Sequence, residues 1–421
     1  MPFDITAALP EFLKTVKRPG EFYGSGAIEL PIVRIEIDGV GRLGLPIPPL
    51  QAQQLIALAT PAPYGRGAET LVDPNVRKCG QIAPANVHLA DARWQAKLNE
   101  ITAAAANALG VDGEVQAELY KLLVYETGSF FSQHRDTEKA KGMFATLVVV
   151  LPSAHRGGDL LVQHDGAQVT LNLASEEVAV ARWAAFYSDC QHELRPIASG
   201  YRIALIYNLI RPKGLLPHAP DRAPAIEQAA SLLQQWIVQG YGPIKLVLPL
   251  KHKYTLAEWH FASLKNEDAA AAAVLKGAVA KADATLRLVL LSIHQTGSAE
   301  EQYRRSGRSF EGNGEYEVID INEDSQSLDN WLTPNERSED LGTLELEDGE
   351  LAPENALADA KPDEDEFSEA TGNEGASFER TYRHAALVIW PNANELQVIA
   401  QGGQYASLAA IERWVADPAR V

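Results

Sequence analysis

The chain has 421 residues, 46% of them hydrophobic, which is enough for two domains with sizeable cores. Its net charge of −19 excludes the basic surplus typical of nucleic-acid-binding proteins. No apolar run reaches the roughly 18–20 residues that span a bilayer, and the first residues lack the pattern of a secretory signal. Two cysteines, Cys79 and Cys190, cannot form a disulfide framework. We therefore expect a cytoplasmic protein that binds neither nucleic acid nor membrane.

The first 118 residues carry short strand patterns and two helix patterns. The second helix is the clearer one, because it starts with an aspartate that can cap it, repeats apolar residues at helical spacing and ends at a glycine. The polar segment Pro61–Pro84 is predicted to be a long loop, either a substrate lid or a surface connection. In chain order, the predicted elements are strands Ile32–Ile37 and Arg42–Pro46 and helices Leu50–Ala59 and Asp91–Leu109.

From residue 119 the pattern changes to short strands separated by turn signals. Eight such strands fit a jelly roll, the double-stranded β-helix of cupins and related proteins. We predict them at Leu119–Tyr125, Ser132–Asp136, Phe144–Leu151, Asp159–His164, Gln168–Leu173, Val178–Tyr187, Cys190–Leu194 and Tyr201–Leu209.

After residue 211 a Pro-rich linker leads into mixed helix and strand patterns. The expected fold class is α+β and mainly β. A jelly-roll domain would occupy residues 1–212, with its core at about 119–210, and a C-terminal α+β domain would occupy residues 213–421. In the second domain we predict helices at Ala225–Val238 and Leu408–Val415, strands at Ile244–Leu250, Leu286–Ile293 and Tyr382–Trp390, and an Ala-rich helix between the first two strands.

Acidic residues concentrate between Glu300 and Glu379. This segment holds 25 acidic and five basic residues, which leaves 31 acidic and 32 basic residues for the rest of the chain. Such a composition does not support a core of its own, so we expect an acidic loop at about 300–379 in which Glu336–Phe367 is mobile or loosely packed. The loop would either only solvate the protein or attract a basic partner.

The stretch Tyr125–Asp136, YETGSFFSQHRD, contains the residues that indicate a chemistry. Positions i and i+2 of a strand share a face, so His134 and Asp136 should project together. Two histidines and one carboxylate can hold Fe(II) on one face and leave positions open. His192, in CQHELRP, is the best candidate for the second imidazole. The alternative is that these histidines are ordinary core or surface residues.

These residues resemble the iron-binding motif of prolyl-4-hydroxylase-type Fe(II)/2-oxoglutarate dioxygenases. The similarity covers roughly residues 119–212, about a quarter of the chain. A lone His-x-Asp is weak evidence, whereas the whole set at the family's spacing is specific. The matching positions are Tyr125, Gly128, Phe131, His134 and Asp136, then Gly157-Gly158, then His192, Pro196 four residues on and Arg202 ten residues on.

The resemblance implies a role for each of five residues. His134, Asp136 and His192 would be the metal ligands and the catalytic centre. Arg202 and Tyr125 would bind the distal carboxylate of 2-oxoglutarate, which suits the planar fork of a guanidinium, although the prolyl hydroxylases commonly have lysine here. The implied cofactors are Fe(II), 2-oxoglutarate and O2, with ascorbate as an additional candidate.

Three positions argue against neighbouring groups of the superfamily. Halogenases have a small residue where this chain has Asp136. Nucleic-acid demethylases have a second arginine where this chain has Asn208, and the plant-type small-molecule oxygenases have Arg-x-Ser where it has Arg202-Ile203-Ala204. The prolyl-hydroxylase-like branch is therefore the nearest.

We expect an Fe(II)- and 2-oxoglutarate-dependent dioxygenase that hydroxylates an unactivated C–H bond of a protein residue such as proline, with release of succinate and CO2. The first alternative is the same chemistry on a small molecule or free amino acid. The second is a catalytically weak binding or scaffold protein that works through the acidic segment. The complete ligand set argues against the second, because a pseudoenzyme usually loses at least one ligand.

Overall fold

The computed structural model describes residues 3–66, 69–111, 113–136, 139–175, 177–211, 222–255, 258–306, 309–358, 360–370, 375–404 and 407–408. Contacts divide the chain into two units. The central unit comprises Arg18–Ala219 and Thr255–Glu267. The C-terminal unit comprises Met1–Lys17, Pro220–Tyr254 and Asp268–Val421.

The described residues form a mainly β protein with antiparallel sheets and six α-helices, none of them long and apolar enough to cross a membrane. The helices are α1 (Ile5–Lys14), α2 (Pro49–Leu58), α3 (Ala92–Ala108), α4 (Ala223–Gln239), α5 (Asn266–Ala282) and α6 (Glu395–Gln401). The strands of the central unit are β1 (Tyr23–Glu29), β2 (Glu36–Ile37), β3 (Gly41–Arg42), β4 (Thr60–Pro61), β5 (Tyr64–Arg66), β6 (Glu69–Leu71), β7 (Arg77–Lys78), β8 (Gly80–Ile82), β9 (Val87–His88), β10 (Gln116–Tyr125), β11 (Phe130–His134), β12 (Met143–Val150), β13 (His155–Gly157), β14 (Leu160–His164), β15 (Ala167–Leu171), β16 (Val180–Tyr187), β17 (Gln191–Leu194), β18 (Ile197–Gly200) and β19 (Arg202–Ile210). The strands of the C-terminal unit are β20 (Leu246–Pro249), β21 (Ala284–Ser306), β22 (Ser309–Leu332), β23 (Leu344–Glu345), β24 (Glu364–Ser368) and β25 (Ser377–Pro391).

Two antiparallel sheets share the core of the central unit. The larger has seven strands in the order β1-β16-β12-β19-β10-β8-β4, and the smaller has five in the order β15-β14-β17-β11-β7. Helix α3 packs on β1, β10 and β16, so the larger sheet is covered on that side. This explains why all eight residues of β12, MFATLVVV, are buried, because a strand covered on both faces has no solvent side.

The eight strands predicted after residue 119 are all present, as β10, β11, β12, β14, β15, β16, β17 and β19. The prediction of an unstructured loop at Pro61–Pro84 is wrong, because β5, β6, β7 and β8 lie within it. These strands have only two or three residues each. They are too short for the alternation of apolar and polar residues that reveals a strand in sequence.

The C-terminal unit contains a sheet in the order β20-β25-β21-β22-β23, with β24 paired to β25. Helix α1 belongs to this unit, although the sequence predicted its residues within the domain of residues 1–212. Its buried residues Ile5 and Leu9 show that it is amphipathic, but an amphipathic pattern does not indicate which core a helix joins. Thr255–Glu267 likewise belongs to the central unit. The predicted boundary at 212/213 and most of the predicted helix Leu408–Val415 lie outside the described residues.

The acidic segment is not a loop. Strands β21 and β22 pair as a long hairpin, and β24 pairs with β25. The expectation that Glu336–Phe367 packs loosely is wrong, because Leu341, Leu344 and Glu350 are buried. Composition misled the prediction since acidic residues can occupy the exposed positions of strands while a few apolar residues reach the core.

Glu350 is the acidic residue most firmly tied to this core. Its carboxylate lies 2.6 Å from Lys245 Nζ, and both side chains are at most 3% exposed. We expect Glu350→Ala to lower the free energy of unfolding by about 3–5 kcal/mol, because a buried ammonium group loses its carboxylate partner and keeps only two neutral acceptors, Glu345 O and Gln401 Oε1. As a control, Glu364→Ala breaks the exposed pair with Arg383 and should cost less than about 1 kcal/mol. Denaturant unfolding measures both, and equal small losses would contradict the buried pair.

Candidate metal centre

Two neighbouring strands bring a pair of histidines together. In the antiparallel pairing of β11 with β17, His134 lies opposite His192, and their ring centroids are 4.1 Å apart. His134 Nδ1 donates to the carbonyl of Ser132 at 2.9 Å, and His192 Nδ1 donates to the carbonyl of Cys190 at 3.2 Å. A neutral imidazole that donates through Nδ1 has its lone pair on Nε2. Both rings are therefore oriented to bind a metal through Nε2.

Asp136 completes the cluster from a position just beyond the end of β11. Its Oδ1 lies 4.0 Å from His134 Nε2, and its Oδ2 lies 3.7 Å from His192 Nε2. One ligand atom from each of the three residues lies within 4.8 Å of the other two. Its backbone N–H donates to the carbonyl of Ser188 at 3.2 Å, and Thr146 Oγ1 donates to its Oδ2 at 2.6 Å. The carboxylate direction is thus set by these two bonds and not by the strand alternation on which the sequence prediction was based.

His134 and Asp136 have the protonation states that a metal requires. Burial, together with His192, lowers the pKa of His134 to about 3, so its imidazole is neutral near pH 7. Burial alone would raise the pKa of Asp136, but the two histidines outweigh it and the pKa is lowered, so the carboxylate is ionised. Two imidazoles and one carboxylate on one face are the donor set of ferrous oxygenase sites. The residues therefore fit Fe(II).

The cluster lies in a pocket between the two sheets of the central unit. Apolar side chains surround the ligands, with Phe131 stacked on His134 at 3.4 Å and Phe186 4.5 Å from His192 between ring centroids. Such walls exclude water from a reaction site. The remaining lining residues are Pro63, Tyr64, Arg77, Tyr120, Lys121, Leu123, Tyr125, Arg135, Lys139, Met143, Thr146, Val148, Leu160, Leu194, Arg202, Ile206 and Asn208.

Arg202 is a buried cation in the same pocket. It is the first residue of β19, lies opposite Tyr125 of β10 and is 2% exposed. Its Nε has no hydrogen-bond partner, and among the described residues no carboxylate forms an ion pair with it. Burial lowers its pKa, although Tyr125, whose ring lies 5.1 Å from the guanidinium carbon, opposes this. An uncompensated buried charge is costly, so this guanidinium fits an anionic ligand.

No family model matches the chain, and no curated protein matches it. Several solved structures of 2OG-Fe(II) oxygenases are similar to about half of it. A prolyl-4-hydroxylase from Pseudomonas putida is 17% identical, with 48% of this chain and 99% of that chain covered and a TM-score of 0.29. A 2OG-Fe(II) oxygenase family oxidoreductase from Burkholderia pseudomallei is 15% identical, with 49% and 93% covered and a TM-score of 0.27. The non-heme alpha-ketoglutarate-dependent epimerase SnoN from nogalamycin biosynthesis is 16% identical, with 51% and 94% covered and a TM-score of 0.27.

These similarities do not assign a reaction to this chain. All five residues selected from the sequence line one pocket: His134, Asp136, His192, Arg202 and Tyr125.

Three further pocket residues were missed in the sequence. Thr146 is a lone hydroxyl within the apolar strand β12, which was a usable signal because a buried hydroxyl needs a partner. Arg77 lies on β7, whose pairing with β11 brings it beside the metal ligands, and Lys121 lies on β10. The basic run at Arg77-Lys78 was visible in the sequence, but its place in the fold was not.

Proposed function

We propose that this chain is an Fe(II)- and 2-oxoglutarate-dependent dioxygenase that hydroxylates an unactivated C–H bond. One oxygen atom of O2 enters the product as a hydroxyl group, and the other enters succinate, which forms from 2-oxoglutarate with loss of CO2. The observation that carries the proposal is the convergence of His134, Asp136 and His192 in a pocket that also holds Arg202, a buried cation with no acidic partner among the described residues.

We infer that the two sheets of the central unit form a jelly roll. Their antiparallel order and their common core support this architecture. The pocket between the sheets is where such barrels hold a ligand, and both sheets contribute to the site. The smaller sheet supplies His134 and His192, and the larger sheet supplies Arg202 and Tyr125.

Iron and 2-oxoglutarate, when bound, supply the oxidising chemistry. The protein would hold the ion through His134, Asp136 and His192. Arg202, with Tyr125 beside it, would bind the distal carboxylate of 2-oxoglutarate and so orient its other end toward the metal. Phe131, Phe186 and other apolar side chains in this pocket would keep water from the reacting atoms.

The substrate that we propose is a protein residue such as proline, and the alternative is a small molecule or free amino acid. The scaffold alternative is disfavoured by the intact donor set, because Thr146 and two backbone carbonyls orient ligands that a pure binding protein would not need.

The proposal predicts turnover that does not depend on knowing the substrate. Purified protein with Fe(II), 2-oxoglutarate and air should form succinate slowly, and with ¹⁸O2 the succinate should gain one labelled oxygen atom. Mass spectrometry of proteins and metabolites incubated with the enzyme should then find a species that gains the second labelled atom. A protein that binds zinc tightly and never consumes 2-oxoglutarate would contradict the proposal.

A further inference from the structure

The pocket around the proposed iron site carries more positive charge than the proposed reaction uses. Its described lining includes five basic side chains and one carboxylate, that of Asp136. The basic residues are Arg77, Lys121, Arg135, Lys139 and Arg202.

The cofactors do not account for this surplus. Fe(II) carries two positive charges, and Asp136 with the dianion of 2-oxoglutarate carries three negative ones. Arg202 supplies the one positive charge that is then needed. Of the remaining basic residues, Arg77 and Lys121 have no counter-charge from the described lining, the metal or the cosubstrate. Like charges in a shared pocket of low dielectric constant repel one another, so such a wall favours an anionic occupant.

Arg77 is the cation best placed to meet that occupant. It is 8% exposed and lies over the ring of Phe131, with its guanidinium carbon 4.2 Å from the ring centroid. Phe131 in turn stacks on His134, so the guanidinium and a proposed metal ligand contact the same aromatic ring.

The hydrogen bonds of Arg77 fix the direction of its guanidinium and leave Nη2 available to a ligand. Nη1 donates to the carbonyl of Pro63 at 2.7 Å, and Nε donates to Cys79 Sγ at 3.1 Å. Within the described part of the chain, Nη2 has no hydrogen bond and no carboxylate forms an ion pair with Arg77. A guanidinium that is preorganised in this way loses little entropy when it binds an oxyanion.

Lys121, on β10, is a second cation that lines the pocket. Its ammonium group lies 4.3 Å from the ring centroid of Tyr120 and donates to Gln81 Oε1 at 3.2 Å. Burial, together with the charge of Arg77, lowers the pKa of Lys121 to about 8. The two cations thus already repel each other, and an anion between them would relieve that repulsion.

We propose that the substrate of this pocket carries a carboxylate or phosphate group, which Arg77 binds with the support of Lys121. This inference rests on the proposed dioxygenase function and narrows its substrate. It therefore favours the alternative substrate named under the proposed function, a small molecule or free amino acid that carries an anionic group, over an internal proline of a polypeptide, whose backbone is neutral.

The test uses the full-length protein loaded anaerobically with Fe(II) and 2-oxoglutarate. Calorimetry measures the binding of N-acetyl-L-proline, which is an anion, and of N-acetyl-L-prolinamide, which has the same shape and no charge. The wild type should bind the anion roughly tenfold more tightly or better, as a charged hydrogen bond allows. Inorganic phosphate is the second arm. If phosphate binds and the carboxylate does not, the substrate group is a phosphate.

Variants of Arg77 separate recognition of charge from packing. Arg77→Gln should abolish the preference for the anion over the amide, and Arg77→Lys should retain part of it. A purely structural role would instead weaken both probes equally in Arg77→Gln. The matched control is Arg195→Gln, which removes an exposed guanidinium that does not line the pocket and should leave the preference unchanged.

Two outcomes would overturn the inference. One is a wild type that binds neither anion more tightly than the amide, and the other is an Arg77→Gln variant that keeps the wild-type preference. Failure of the dioxygenase proposal shows separately, as a protein that gives no visible charge-transfer band with Fe(II) and 2-oxoglutarate.

Discussion

Alanine at His134 or at Asp136 is expected to abolish iron binding at the central site. Each substitution removes one of three protein ligands, and the two that remain cannot hold the ion on one face. In the wild type, anaerobic addition of Fe(II) and 2-oxoglutarate should give a weak visible charge-transfer band. Both variants should lack this band and should form no succinate in air.

Two further variants set the scale for this loss. His88→Ala removes an exposed histidine that pairs with Asp38, and it should keep the band and the turnover. Thr146→Val removes the hydroxyl that donates to Asp136 at 2.6 Å. Loss of such an outer partner typically weakens metal binding about 10–100-fold, so Thr146→Val should lie between the control and the ligand variants. A full-strength band in Asp136→Ala would assign the iron to other residues.

The ligand residues were predictable because their signal is local. His134 and Asp136 are two residues apart, and His192 is brought opposite His134 by antiparallel pairing of adjacent strands in the smaller sheet. Spacing along the chain is readable from a sequence, whereas the pairing of β11 with β17 is not, and His192 was selected as the best candidate and by the spacing of the resembling motif. Thr146 was not predictable in the same way, since its contact with Asp136 depends on how the two sheets face each other.

Arg77 in the pocket and the acidic hairpin of β21 and β22 show what composition alone does not predict. Arg77 lies on a two-residue strand that gains its place only by pairing with β11, so its segment resembled a loop. Composition predicts a loop for the acidic segment because net charge averages over residues with opposite environments. Leu344 and Glu350 are buried there, and the buried partner of Glu350 is Lys245, 105 residues away in the sequence. Contacts at such separations leave no local pattern.

The second large effect is expected at Arg202. Arg202→Ala should weaken the binding of 2-oxoglutarate while iron binding by His134, Asp136 and His192 is retained, because the arginine is a charge partner of the cosubstrate and not a metal ligand. Removal of one partner from a buried charged pair costs about 3–5 kcal/mol, which corresponds to a loss of more than roughly a hundredfold in affinity. Titration of the visible band with 2-oxoglutarate measures this affinity.

A conservative variant distinguishes this role from a structural one. Arg202→Lys keeps the charge without the planar fork, so it should recover part of the affinity that Arg202→Ala loses. Iron binding without 2-oxoglutarate, measured by calorimetry, should be the same in both variants and the wild type.

Arg202 is 2% exposed and has no described acidic partner, so its removal also relieves an uncompensated buried charge in the absence of 2-oxoglutarate. Arg202→Ala should therefore unfold at a temperature no lower than the wild type without 2-oxoglutarate, and it should lose the stabilisation that 2-oxoglutarate gives the wild type. If Arg202→Ala bound 2-oxoglutarate as tightly as the wild type, another cation of the pocket would have to bind its distal carboxylate. Arg77 would be the first residue to substitute in that case.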